Sequence, residues 1–84
     1  MAVIDVNLDR DTYNKSKTNA RYNACTEHYS VRSKTQLPIK RGITYKGLDI
    51  DGKHEYHAYR FTRKAFDAYT LAHDVLLLDY ECMH

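Results

Sequence analysis

Apolar and polar residues alternate at the start of the chain. In VIDVNLD, Ile4, Val6 and Leu8 share one side and Asp5, Asn7 and Asp9 the other. That period of two predicts a half-buried strand. A clearer unit covers residues 43–61, where two strand-like runs flank Asp51-Gly52, a dipeptide suited to a two-residue hairpin turn. Tyr45, Tyr56, Tyr59 and Phe61 fit half-buried sheet positions, and Gly47 marks a candidate bulge.

The period then changes to that of a helix over 62–79. Ala65, Phe66, Ala68, Tyr69, Ala72, Val75, Leu76 and Leu77 form a broad apolar face. Arg63, Asp67, Thr70 and Asp74 form a narrow polar stripe, with Arg63 and Asp67 spaced to pair at i, i+4. Thr62 suits the N-cap, with Phe61 and Phe66 spaced as a hydrophobic staple. A helix this apolar is expected to be buried on more than one side or to pair two copies of the chain.

Residues 9–34 carry the weakest pattern. Asp11 can cap a helix turning Tyr13, Ala20, Ala24 and Cys25 inward, but frequent Asn, Ser and Thr compete for the backbone there. The expectation is a weak N-terminal helix. Pro38 and Gly42 then bracket a connection. These elements predict one α+β domain over 1–84: a basic segment 10–41, a hairpin 43–61 and a helix 62–79. About three antiparallel strands would pack against a C-terminal helix and a weaker N-terminal one, the first strand lying beside the hairpin.

Composition sharpens this in two places. At 84 residues the core is small, so stability is marginal without a staple or a partner. The net charge of +2 hides an asymmetry. Residues 10–41 hold eight Lys or Arg against Asp11 and Glu27, whereas 65–84 hold four acidic residues and no Lys or Arg. Such separation suits an electrostatic footprint on nucleic acid or an acidic protein. The start of the chain lacks a basic, apolar leader, and VLLL is far too short for a membrane span. The expected location is a reducing cytoplasm, with Cys25 and Cys82 as thiols packed like small apolar groups.

Candidate chemistry is sparse. In HEYH, His54 and His57 are three apart on an expected strand, so they face opposite ways and do not form the zinc-protease pattern. Cys25, His28, Cys82 and His84 offer a Cys2His2 zinc set, and Cys25 with Cys82 a disulfide; both are minor alternatives to free thiols. His73 falls on the apolar helix face near Phe66, Tyr69 and Leu77, as a core histidine would. No phosphate loop, nucleophile elbow or paired carboxylate is present, so neither an enzyme nor a cofactor is expected.

Surfaces remain. Arg63 and Lys64 stand at a helix start, where the dipole already attracts anions, so two cations there are ill placed unless an anionic group docks. With Arg60, Lys40, Arg41, Tyr45 and Tyr56 they form the expected contact set. The reading is a non-enzymatic docking protein, in the manner of small phage or mobile-element inhibitors with anti-defence roles that occlude a host protein or protein–nucleic-acid complex. The alternative is a small nucleic-acid-binding regulator using the basic segment and tyrosines.

Overall fold

The computed structural model describes residues 3–5, 13 and 15–77, the first three by their backbone alone. Six strands and one helix follow in the order β1 (Val3–Asp5), β2 (Thr18–Asn23), β3 (His28–Ser33), β4 (Ile43–Asp51), β5 (His54–Thr62), α1 (Arg63–Thr70) and β6 (Val75–Leu77). They form one mixed sheet in the order β1-β6-β2-β3-β5-β4. β6 runs parallel to β1 and β2, and the remaining pairs are antiparallel. The α+β class therefore holds, with more strands than expected. β1 lies at the edge opposite the hairpin, not beside it. Residues 6–9, the rest of the expected first strand, fall outside the described part.

The β4–β5 hairpin forms where the alternation placed it, with one correction at its tip. Asp51 is the last residue of β4 and pairs with His54, so the turn is Gly52-Lys53. Gly52 supplies the positive φ (64°) that a tight turn of this kind needs at its first position. The register shifts between Tyr45 and Gly47, confirming the bulge at Gly47.

α1 begins as expected. Thr62 caps it, its Oγ1 accepting from the Ala65 amide at 3.2 Å. Phe61 and Phe66 meet edge-on with ring centroids 6.2 Å apart, closing the staple. The helix ends at Thr70, not at 79. Val75–Leu77 is instead a strand inserted between β1 and β2. A short apolar run carries the same signal in a buried strand as in a helix, which explains the misreading. The broad apolar helix face thus dissolves, and Phe66 is the one buried residue of α1.

The expected N-terminal helix is corrected over residues 18–33. Tyr13 and Lys15 have helical backbone, but 18–33 form the β2–β3 hairpin. Its pattern is masked because polar residues occupy buried sites. Thr18, Asn19 and Ser33 are all buried. They satisfy one another and their neighbours: Thr18 Oγ1 lies 3.5 Å from Ser33 Oγ, and Asn19 Nδ2 donates to Ser16 Oγ at 3.0 Å. Asn23 builds the turn, its Oδ1 accepting from the amides of Cys25 (2.9 Å) and Thr26 (3.3 Å).

The main core lies on the α1 side of the sheet. Ala20, Val31, Tyr59, Phe61 and Val75 pack with Phe66 of α1. Tyr29 stacks on Phe66 at 3.7 Å, and Leu37 from the connection covers Tyr59, donating its amide to Tyr59 Oη at 2.9 Å. Burying Phe61 completely contributes about 2–3 kcal/mol. Tyr56, an odd number of residues from Phe61, faces the other side and packs beneath Tyr13.

Candidate docking surface

Two basic stretches far apart in sequence meet at one corner. The Thr62 amide donates to the Gly42 carbonyl at 2.8 Å, which brings the start of β4 against the start of α1. Gly42 has φ 87°, and a Cβ there would lie 2.6 Å from Thr62 Oγ1 and 3.0 Å from the Ala65 Cβ. Only glycine permits this approach without strain. Lys40 and Arg41 immediately precede Gly42, and Arg63 and Lys64 immediately follow Thr62. All four are exposed and none forms an ion pair. The expected Arg63–Asp67 pair is not made. No Asp or Glu occurs from 28 to 48 or from 56 to 66, so nothing nearby in sequence neutralises the corner.

An apolar strip leaves this corner along the α1 side of β4. Residues of one strand face share parity on each side of the bulge, so Tyr45, Leu48 and Ile50 line up with the core residues Tyr59 and Phe61. Yet they are uncovered: Tyr45 is 46% exposed, Leu48 55% and Ile50 62%, and Ile39 beside them 65%. α1 and the connection shield only the other half of this face. A shallow groove of about 250 Å³ opens at the border, lined by Gln36, Leu37, Ile39, Tyr45 and Tyr59. β4 is an edge strand. Lys46 and the bulge interrupt that edge, a pattern that guards against strand addition. The side-chain face has no such guard.

The remaining expected contact residues lie elsewhere. Arg60 pairs with Thr44 and Ser30 on the opposite sheet face, exposed and without an ion pair. Tyr56 is fully buried, its Oη donating to the Tyr13 carbonyl at 3.3 Å, with Lys34 Nζ 5.6 Å from its ring centre. It is a structural residue, which corrects its placement in the contact set. Burial pushes its phenol above the ordinary tyrosine range, and Tyr13 and Asp51 add to the shift while Arg32 and Asn19 oppose it. Burial also raises Tyr69, against a hydrogen bond from Thr18.

Arg32 shows how this protein treats a cation it uses internally. It meets Asp49 at 2.7 Å and Asp51 at 3.6 Å, and hydrogen-bonds to Tyr13 Oη.

The histidines and cysteines carry no constellation. His54 and His57 do face opposite ways, and His57 Nδ1 lies 3.3 Å from Tyr45 Oη. His73 is exposed rather than in the core, stacked on Tyr69 at 4.2 Å with Nδ1 donating to the Tyr69 carbonyl. Cys25 sits exposed in the β2–β3 turn and is disulfide-bonded, which corrects the packed free thiol. A bonded sulfur has no thiolate for zinc, and His28 Nδ1 donates to the Thr26 carbonyl at 2.7 Å. Cys82 and His84, the other half of that set, lie outside the described residues. Among the described residues no three His, Cys, Asp or Glu side chains gather, and no helix is long and apolar enough to cross a membrane.

Sequence reasoning therefore found the cations of the corner and Tyr45, and missed Ile39, Leu48 and Ile50. Their alternation was visible, but whether a strand face is covered depends on where α1 ends. No protein-family model, curated protein or solved structure matches the chain.

Proposed function

We propose that this chain is a non-enzymatic docking protein that covers part of another macromolecule with its β4 side. One observation carries the reading: four exposed, unpaired cations gather where Gly42 meets Thr62, and the exposed apolar strip and groove of β4 begin beside Lys40 and Arg41. Exposed apolar side chains supply contact area, and unpaired Lys and Arg select acidic groups. A small inhibitor that occludes a host complex fits this chemistry.

Nucleic acid is the second reading, favoured by the long carboxylate-free stretch around the corner. The strip weighs against it, since Leu48 and Ile50 offer nothing to a phosphate, and Tyr45 is the one strongly exposed ring beside the corner.

Affinity capture from nuclease-treated lysate tests the first reading, comparing the native chain with Lys40→Glu/Arg41→Glu. The proposal expects specific proteins enriched by the native chain and lost by the charge-reversed one. Equal enrichment by both contradicts it. Partner loss on nuclease treatment, with binding that weakens steeply in salt, favours the nucleic-acid reading.

A further inference from the structure

Leu71 is 85% exposed, the most exposed large apolar side chain among the described residues. It caps α1 in helical backbone, four residues beyond Asp67, so the two share one side of the helix. Asp74 follows three residues later. Both aspartates are exposed and neither forms an ion pair. The molecule thus carries an apolar anchor between two unpaired carboxylates at one end. At the other end it carries an apolar groove beside unpaired cations.

These two ends cannot meet within one chain. Val75 of β6 follows directly after the acidic corner, while the groove borders β4. Leu71 ends an eight-residue helix that starts at the basic corner, and about 12 Å of helix holds it away from that corner. We infer that the groove receives Leu71 of a second copy of this chain, with Asp67 and Asp74 meeting Lys40 and Arg41. This rests on the docking reading of the groove and names an occupant for it.

Two physical points support that occupant. The charges are complementary in sign and flank the apolar element in both corners. The contact also bears on α1, which has the carboxylate of Asp74 just past its negative end, where the helix dipole disfavours it. End-to-end docking sets that carboxylate against a cation. The contact is head-to-tail, because the groove and the Leu71 corner are different surfaces. Each added copy leaves one groove and one anchor unused, so growth continues as a chain or closes as a ring.

Light scattering across a concentration series tests this with Leu71→Lys and Ile39→Lys, both at exposed positions. The native chain is expected to rise above its 9.9 kDa monomer mass with concentration, and to fall back as salt screens the charges. Each variant alone is expected to stay monomeric. Their equimolar mixture, holding one intact groove and one intact anchor, is expected to reach twice the monomer mass and stop. A native chain that stays monomeric throughout overturns the inference, as do variants that associate like the native chain or a mixture that remains monomeric. Capture lost in Lys40→Glu/Arg41→Glu from a strictly monomeric protein overturns self-association alone. Self-association without any captured partner overturns the wider docking reading alone.

Discussion

The α1 side of the β4–β5 hairpin has two halves that differ most in cover. At one end Tyr59 and Phe61 lie under Phe66 and Leu37; at the other Leu48 and Ile50 lie under nothing. Both halves present large apolar side chains, although Leu48 and Ile50 face His57 and Glu55 across the ladder, where the covered half holds rings. What differs is cover, because α1 is only eight residues long and the connection crosses only at Tyr59. Apolar character in a strand therefore has two meanings here. In the covered half it stabilises the fold. In the uncovered half it is what the proposed docking would use.

Substitutions should separate the halves, and the largest effect belongs to the covered one. Phe61→Ala removes a fully buried ring that touches both Phe66 and Tyr69. A loss of about 3–5 kcal/mol is expected in urea unfolding, a large share of what so small a domain has. A loss below about 1 kcal/mol would mean that this half is no better packed than the other.

Gly42→Ala tests the junction between the halves. The new Cβ strains a left-handed residue and strikes the Thr62 hydroxyl that caps α1. The expected cost is about 2–3 kcal/mol, from roughly 1–2 for the backbone and about 1 for the cap. Thr62→Ala alone should cost about 1 kcal/mol, and the double variant less than the sum, because both remove the same cap.

Alkali probes burial on both faces of the sheet. Tyr56 and Tyr69 hold their protons in the fold beyond the pH, about 10, at which the unfolded chain releases them. Their contribution is therefore complete below about pH 10 and declines as pH rises above it. Phenolate absorbance should show both rings titrating together with unfolding. Titration at the ordinary value in a protein that stays folded would contradict the burial of Tyr56.

Much of the covered half was legible in the sequence. The Phe61–Thr62–Phe66 spacing specified the start of α1, and Gly47 the bulge, because caps and glycines act locally. The end of α1 was not legible, since Val75–Leu77 is as apolar as a helix face and tertiary pairing with β1 and β2 decides its state. β2 and β3 were hidden by the buried polar residues Thr18, Asn19 and Ser33, whose partners come from other parts of the chain. The candidate docking surface was half legible. Lys40, Arg41, Arg63 and Lys64 stood out by charge, but their convergence depends on the Gly42–Thr62 contact. Tyr56 was misassigned because strand parity does not reveal which face is covered, or by what, and Arg60 is exposed on the sheet face opposite the strip.

The smallest expected effect is the most telling. Leu48→Lys/Ile50→Lys places two charges where the covered half holds rings. Urea unfolding of this variant beside the native chain measures directly whether the strip belongs to the fold or to a partner. Stability within about 1 kcal/mol of native is predicted, as for exposed strand positions. A loss approaching that of Phe61→Ala would show that Leu48 and Ile50 hold the fold together, and would remove the basis for a docking surface on β4.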